Sequence, residues 1–306
     1  MESFLIVFGQ VLSLFIMIGV GFGMYKVKFI NDTGAAQMTD LLLYAVTPCI
    51  VIKAFDRKFD PNTASAIGIF AVAGIFVMLL GVIVAAIIFR GKDENARAVQ
   101  KFGLVFSNCG FMGLPLTEAI CGDEGVLYAS IFLAIFNLFQ WTYGVAVMSG
   151  ESLSVKKAIF NPCVLGLAVG LPVFLLSLNI PSPIESALSM LADLNSPLAM
   201  VIIGTHLAKT DIIGTLKDVR CYAAAFLRLI VMPALVMLIV MNIPWLNDKQ
   251  IVTLAVQCGA PVAASCALFA VKYNRDSQLA SRMVALSTIF SMITLPVLVS
   301  VVQNFL

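Results

Sequence analysis

Ten apolar windows recur along this 306-residue chain, and each is long enough to cross a lipid bilayer as a helix. About 20 apolar residues are needed to span roughly 30 Å of hydrocarbon. Only 12% of the residues are charged, whereas soluble domains carry about 25%, and the mean hydropathy is +1.01. The pattern predicts an all-α integral membrane protein with windows near residues 4–24, 35–55, 64–89, 99–120, 125–148, 160–178, 184–207, 218–241, 250–272 and 279–303.

The rest of the composition excludes several classes of function. The net charge is only +2 and no basic tract occurs, so a nucleic-acid partner is not expected. The seven cysteines and the single histidine, His206, show no CxxC or zinc-ligand spacing, so we expect no disulfide framework, metal or cofactor. The first window lacks a basic n-region and ends at Lys26 and Lys28, so we expect it to stay in the membrane.

Lysine and arginine are distributed unevenly among the loops between these windows. Counted in chain order, the odd-numbered loops hold 14 of the 19 Lys and Arg residues, the even-numbered loops hold four, and Arg228 lies inside a window. Cytoplasmic loops carry the excess of positive charge in membrane proteins. The distribution therefore predicts a multi-pass protein of the cell membrane with cytoplasmic odd loops and both termini outside.

Unusual residues recur at a constant offset of 149 positions. Pro48 aligns with Pro197, and Asn108-Cys109-Gly110 aligns with Gln257-Cys258-Gly259. The first match joins windows two and seven, and the second joins windows four and nine. Because five windows are an odd number, the second unit enters the membrane from the opposite face. The sequence thus predicts two inverted five-helix repeats, residues 1–150 and 151–306, which is the arrangement of many secondary transporters.

Windows four and nine contain the residues that interrupt helices. Pro115 follows Asn108-Cys109-Gly110, and Pro261 follows Gln257-Cys258-Gly259. Proline leaves a carbonyl without its helical partner, and glycine lowers the cost of leaving helical geometry. We therefore expect breaks at the prolines, with the carbonyls of Phe111 and Gln257 unpaired. In hydrocarbon each unpaired backbone group costs several kcal/mol, so a break requires protein or a polar cavity to satisfy it.

The groups that these breaks would expose favour an anionic ligand. Asn108 and Gln257 each bring an amide to the break, and each half-helix that begins there has an N-terminus equivalent to roughly +0.5 charge. Two such ends suit a carboxylate. We therefore expect Asn108, Gly110, Gln257 and Gly259 to bind the substrate. A proline kink that only packs helices is the alternative.

Two motifs extend beyond these residues. The first is Ser107-Asn108, then Met112-Gly113-Leu114-Pro115-Leu116 and Gly122-Asp123; the second is Val256-Gln257, Pro261, Phe269-Ala270, Tyr273-Asn274 and Leu295-Pro296. With them the chain resembles the auxin efflux carrier family, which includes plant auxin transporters and bacterial malate- or malonate-type permeases. The likeness covers nearly the whole chain. The long cytoplasmic loop of many plant members is absent, which implies a compact prokaryotic-type carrier.

The resemblance implies a fold and a site. Spans 1, 2, 6 and 7 would form a scaffold domain, and spans 3–5 and 8–10 a transport domain, with broken helices four and nine crossing as in sodium/proton antiporters and bile-acid symporters. It further implies a homodimer and a small organic anion bound at the crossing. Pro115 and Pro261 match the crossing prolines of the family, and Asn137 matches an amide that lines the site. The unequal spacings of the two prolines from Asn108 and Gln257 argue against strict symmetry.

Two further charged residues lie inside windows. Asp193 in window seven is a candidate for carrying a coupling proton, because burial would raise its pKa; a hydrogen-bonded residue near the outer surface is the alternative. Arg228 in window eight is expected to extend to the interface or bind a lipid headgroup, and direct pairing with the substrate is the alternative. His206 is expected to have a structural role near the cytoplasmic interface.

Three other functions remain open from the sequence. A sodium- or proton-coupled symporter or antiporter of a related crossed-helix family would carry paired acidic residues beside the breaks, and none precedes either proline closely. A membrane sensor or receptor with a transporter-like core would normally add a soluble domain. An enzyme is least expected, because the chain has no HExxH or GxSxG motif. The leading prediction is a secondary transporter for a small organic anion.

Overall fold

The computed structural model describes residues 2–150 and 160–306, and within these ranges the chain is helical without a β-strand. The all-α prediction is therefore confirmed. In chain order the helices are α1 (Glu2–Lys26), α2 (Asp32–Phe55), α3 (Pro61–Ile88), α4 (Glu94–Val105), α5 (Cys109–Ser149), α6 (Pro162–Leu175), α7 (Ser182–Lys209), α8 (Ile212–Lys217), α9 (Val219–Val240), α10 (Asp248–Gly259), α11 (Ser265–Lys272) and α12 (Ser277–Phe305).

Seven of the described helices are long and apolar enough to cross a membrane by themselves: α1, α2, α3, α5, α7, α9 and α12. The described part of α6 is apolar but shorter. The two remaining apolar windows, four and nine, are each divided between two helices. Window four is split between α4 and the start of α5, and window nine is split between α10 and α11. A helix of 12 residues such as α4 or α10 covers about 18 Å at 1.5 Å per residue, which is less than a bilayer.

Several long helices are irregular at defined points. Helix α5 is kinked at Gly122, which has a non-helical φ of 64° and ψ of −156° and separates two helical segments. Glycine adopts positive φ without a steric cost, so the chain changes direction here, between predicted windows four and five. Wider π-helical turns occur at Leu42–Val46, Cys109–Gly113, Gln140–Gly144 and Leu227–Val231.

Helices α1 and α7 pack closely along a line of small residues. A Cβ added to Gly21 would overlap the backbone carbonyl of Val201, and one added to Gly204 would overlap the carbonyl of Ile18. Small residues let two backbones approach in lipid, where dispersion forces rather than the hydrophobic effect hold helices together. The two helices are therefore fixed to one another by backbone contact.

Polar contacts between the loops fall into two groups within the described ranges. We number the loops in chain order between the predicted windows. Contacts of the first group connect two odd-numbered loops, and contacts of the second group connect two even-numbered loops. The first group includes Lys209–Asp32 (2.6 Å), Arg282–Asp211 (2.9 Å) and Arg275–Glu94 (3.6 Å). The second group includes Lys249–Glu124 (2.6 Å), Phe59 N–H to Ser177 Oγ (2.9 Å) and Arg57 Nη2 to the Asp123 carbonyl (3.4 Å).

The close contact of α1 and α7 predicts different effects for two glycines on the same helix. Gly21→Ala should lower the free energy of unfolding by about 1–3 kcal/mol, because the added methyl group overlaps the Val201 carbonyl. Gly23→Ala is the matched control, since nothing lies within 4 Å of its added Cβ. Thermal unfolding in detergent measures both variants. Equal midpoints for Gly21→Ala and Gly23→Ala would contradict the packing described here.

Candidate functional site

Two helix interruptions lie side by side in the centre of the molecule. Residues 106–108 separate α4 from α5, and residues 260–264 separate α10 from α11. The Asn108 N–H donates to the Pro261 carbonyl at 2.7 Å, and the Ala263 N–H donates to the Phe106 carbonyl at 2.9 Å. These bonds form an antiparallel bridge between Ser107 and Val262. Each interruption thus satisfies backbone groups of the other, and we call the two together the paired interruption.

The two prolines occupy different positions relative to the paired interruption. Pro261 lies inside the second interruption, and its carbonyl accepts the Asn108 N–H. Pro115 lies in the first turns of the regular part of α5, seven residues after Asn108. The expectation of a break at Pro115 is therefore corrected: the helix is interrupted earlier, and the π-helical turn Cys109–Gly113 accommodates the missing amide before Pro115.

Arg228 lies buried against the same two helices. Its guanidinium donates from Nη1 to the Leu104 carbonyl (2.8 Å), from Nη2 to the Cys258 carbonyl (2.8 Å) and from Nε to the Ala260 carbonyl (3.1 Å). The sequence led us to expect a side chain that extends to the interface or binds a lipid headgroup. That expectation is wrong, because the guanidinium is buried and bonded to backbone carbonyls. Carbonyls at the ends of α4 and α10 lack helical partners, and the five-donor fork of an arginine can satisfy several of them at once.

A cavity of about 280 Å³ adjoins the paired interruption. One wall consists of residues of α2, α6 and α7, and the other consists of α5, α11 and the paired interruption. The cavity extends toward Asp40 near the start of α2, Pro162 at the start of α6 and His206 near the end of α7. These helix ends all join odd-numbered loops. Its polar lining residues are Thr39, Asp40, Tyr44, Thr47, Ser107, Asn108, Asn137, Gln140, Asn161, Asn195, His206 and Ser265.

Asn108 combines burial with an unused donor. The residue is 5% exposed, and its Nδ2 has no hydrogen-bond partner among the described residues. It lines the cavity and directly precedes α5. An unsatisfied buried donor costs about 1–3 kcal/mol, and a hydrogen-bond acceptor within the cavity would remove this cost.

Gly110 and Asn137 lie on the same cavity. Gly110 is in the first turn of α5, and Asn137 donates from Nδ2 to the Leu133 carbonyl at 2.8 Å, one turn earlier in that helix. Gln140 also lines the cavity and accepts a hydrogen bond from Ser265 Oγ at 2.7 Å. The structure therefore brings Asn108, Gly110 and Asn137 to one cavity.

Gln257 and Gly259 do not line this cavity. Gln257 is fully buried, and its Nε2 donates to Thr117 Oγ1 of α5 at 3.1 Å; Thr117 is not among the cavity-lining residues either. A Cβ on Gly113 would lie 2.6 Å from Gln257 Oε1, so the glycine makes room for this side chain. Gly259 packs against Leu298 of α12. The two halves of the predicted site are thus not equivalent in this conformation.

Asp193 lies outside the cavity. Its side chain is 70% exposed and forms an ion pair with Lys53 at 3.6 Å. The expectation of a buried carboxylate is therefore corrected. A turn at Leu194 lies directly after the Asp193 residue, where α7 changes from one helical segment to the next.

Several cavity residues were not predicted as site residues. Asp40, Tyr44 and Thr47 come from α2, and Asn195 and His206 come from α7. The one signal in the sequence was polarity inside an apolar window, as at Asn195 and His206. Within the described residues no group of three or more His, Cys, Asp or Glu side chains could hold a metal ion.

This arrangement defines a multi-pass helical membrane protein with a central cavity that is lined by both polar and apolar side chains. The family model described as membrane transport protein matches the chain twice in succession, over residues 6–155 and 151–299. The chain therefore belongs to this transporter family, which is that of the auxin efflux carriers, and the resemblance stated from the sequence motifs is confirmed.

Similar proteins are found in archaea and bacteria. An uncharacterized transporter of Methanocaldococcus jannaschii is 25% identical over 301 residues, covering 93% of this chain and 95% of its own. Another from Methanothermobacter thermautotrophicus is 23% identical over 296 residues, covering 94% and 95%. A Rhizobium meliloti protein named "Putative malonate transporter" is 22% identical over 311 residues, covering 97% and 96%.

The buried contact of Gln257 predicts the effect of removing one hydroxyl group. Thr117→Val should lower the free energy of unfolding by about 1–3 kcal/mol, because the Gln257 amide then loses its hydrogen-bond partner in a buried position. Thr142→Val is the control on the same helix, since the Thr142 hydroxyl bonds only to carbonyls of its own helix. Thermal unfolding compares them, and an unchanged midpoint for Thr117→Val would contradict this hydrogen bond.

Proposed function

We propose that this protein is a secondary transporter that moves a small organic anion, such as a malonate-like or auxin-like carboxylate, across the cell membrane by alternating access. The observation that carries the proposal is the free Nδ2 of Asn108, buried at the cavity and at the start of α5. A carboxylate oxygen is the acceptor that this donor lacks. Such charge-assisted hydrogen bonds are about twice as strong as neutral ones.

Backbone groups next to Asn108 would add to the binding of an anion. The first N–H groups of a helix have no partner within the helix, and at α5 these belong to Cys109, Gly110 and Phe111. Gly110 lines the cavity, so a ligand can approach the backbone there. Among the residues that the structure describes, no lysine or arginine lines the cavity. The negative charge would therefore be held by N–H groups and the helix N-terminus rather than by an ion pair.

The cavity lining favours a ligand with one polar end and an apolar body. Beside the amides of Asn108 and Asn137 lie the aromatic side chains of Phe111, Trp141 and Phe269. A volume of about 280 Å³ restricts the ligand to a small molecule. The name of the Rhizobium meliloti relative is consistent with a carboxylate substrate. An aromatic acid has such a polar end and apolar body, and a malonate-like diacid is small enough for the same volume.

The proposed architecture is ten spans in two inverted repeats, residues 1–150 and 151–306, with broken helices crossing at the paired interruption. The recurrence of Pro48 and Asn108-Cys109-Gly110 at Pro197 and Gln257-Cys258-Gly259, at a constant offset of 149 residues, supports the duplication. The segregation of loop contacts into an odd and an even group supports spans that cross in alternating directions. The pairing of Ser107 with Val262 supports a crossing of the two interrupted helices.

The proposed motion follows from the position of the cavity. Its walls belong to the helices that we assign to a scaffold (α1, α2, α6 and α7) and to a transport domain (α3–α5 and α9–α12). The cavity extends toward the odd loops, whereas Gln257 and Thr117 are buried in contact with each other and do not line it. Movement of the transport domain against the scaffold would close the cavity toward the odd loops and open it toward the even loops. The family resemblance supports a homodimer.

Uptake of labelled carboxylates into proteoliposomes tests the proposed function. Asn108→Ala should reduce the rate of uptake by about tenfold or more, because it removes the free donor. Asn108→Asp, which has the same shape, should abolish uptake because its charge repels the substrate. Asn242→Ala is the control, since Asn242 is exposed and bonds only to Leu238 of its own helix.

The uptake measurement also has outcomes that contradict the proposal. If the native protein, folded and inserted, takes up no carboxylate under any proton, sodium or voltage gradient, the organic-anion proposal is wrong. If uptake occurs but Asn108→Asp transports as well as native protein, the substrate does not bind at Asn108. The gradient that supports uptake identifies the coupling.

Labelling of single cysteines in intact cells tests the proposed orientation. In a background with Cys49 and Cys121 changed to serine, the five remaining cysteines are buried. A membrane-impermeant maleimide should then label Lys249→Cys in an even loop from outside, and label Lys92→Cys in an odd loop only after permeabilisation. Both positions are exposed. The reverse pattern of labelling would contradict termini that lie outside.

A further inference from the structure

Arg228 is a buried cation without a carboxylate partner in the described part of the chain. Only 3% of the residue is exposed, and none of the ion pairs among the described residues includes it. An isolated buried charge is expensive unless it is well hydrogen-bonded. Its partners are three backbone carbonyls, of Leu104, Cys258 and Ala260.

These carbonyls identify what the positive charge compensates. Helix α4 ends at Val105 and α10 ends at Gly259, so the carbonyls of Leu104 and Cys258 belong to the C-terminal turns of both helices. The C-terminus of a helix carries the equivalent of roughly −0.5 charge. One guanidinium therefore lies against two negative helix ends, and its single positive charge is equal in size to their sum.

The paired interruption also brings together two positive helix ends. Helix α5 begins at Cys109 and α11 begins at Ser265, each directly after an interruption. Two positive and two negative ends close to one another would nearly cancel. With the negative ends compensated by Arg228, the positive ends remain available. The Nδ2 of Asn108, directly before α5, has no partner among the described residues. This is independent evidence that a hydrogen-bond acceptor or an anion can bind near the start of α5.

We propose that Arg228 determines the charge preference of the cavity from behind the paired interruption, and so makes the cavity selective for anions. Arg228 is not among the cavity-lining residues, so it is a positioning residue that does not touch the substrate. This inference rests on the proposed function, because it explains why carboxylates are preferred over their neutral analogues. A cavity with the same amides but without this cation would bind the two almost equally.

The test compares an acid with its uncharged amide. Dissociation constants for phenylacetate and phenylacetamide, and for malonate and malonamide, are measured by quenching of tryptophan fluorescence. A Trp245→Phe background leaves cavity-lining Trp141 as the only tryptophan. The variants are Arg228→Gln, which keeps hydrogen-bond donors without the charge, and Arg228→Lys, which keeps the charge without the planar fork. Arg220→Gln is the control: the same substitution in the same helix, at an exposed ion pair with Asp218.

The expected result is a loss of charge preference without a general loss of binding. Native protein and Arg220→Gln should bind the acid more tightly than the amide. In Arg228→Gln that preference should fall by about tenfold or more, because a unit charge at an effective dielectric of about 20 is removed, while the amide binds as before. Arg228→Lys should retain the preference for the acid.

Other results separate the inference from the proposed function. If Arg228→Gln weakens the acid and the amide equally, Arg228 only supports the helices and the inference is wrong. If Arg228→Gln does not fold, the Arg228→Lys variant still tests the inference, because it keeps the positive charge. A loss of the preference for the acid in Arg228→Lys would contradict a role of the charge. If native protein binds neither pair of probes, the proposed function itself fails, and the inference fails with it.

Discussion

Backbone hydrogen bonding in a medium without water is the constraint on which this structure depends. Two helices end inside the molecule, and each end leaves N–H and C=O groups that lipid cannot satisfy. The antiparallel bridge between Ser107 and Val262 satisfies part of them, and the guanidinium of Arg228 satisfies carbonyls of Leu104, Cys258 and Ala260. The interruptions are therefore held in place by one another and by one buried cation.

The function that we propose depends on the one hydrogen-bond donor of Asn108 that the paired interruption does not use. The carbonyl ends of α4 and α10 are bonded to Arg228, whereas the Nδ2 of Asn108, directly before α5, has no partner among the described residues. A chain that belongs to a transporter family, and that keeps a free donor at the centre of a small cavity, is equipped to bind an acceptor there. The buried Gln257 is the corresponding amide of the second half. Its burial here is consistent with a site that is open to one side at a time.

The sequence predicted the helical class, the family and one half of the candidate site, because these depend on local signals. Apolar windows determine the helices, and Asn108-Cys109-Gly110 marks the interruption. The remaining features depend on tertiary contacts. Pro115 did not set the break, because a π-helical turn accommodates it. Arg228 was expected near the interface but is buried, because backbone carbonyls in the core accept its hydrogen bonds. Asp193 was expected to be buried but is exposed and forms an ion pair with Lys53. The polar residues of α2 were missed because nothing in their spacing shows which face meets a cavity.

The most direct test of the central claim is the distance between Asn108 Nδ2 and the nearest oxygen of a bound carboxylate. An experimental structure of the protein with the acid that it takes up most rapidly provides this distance. We expect a separation of about 2.7–3.2 Å, with the carboxylate also facing the first N–H groups of α5. A carboxylate bound elsewhere in the cavity, with Asn108 Nδ2 hydrogen-bonded to a protein group, would contradict it.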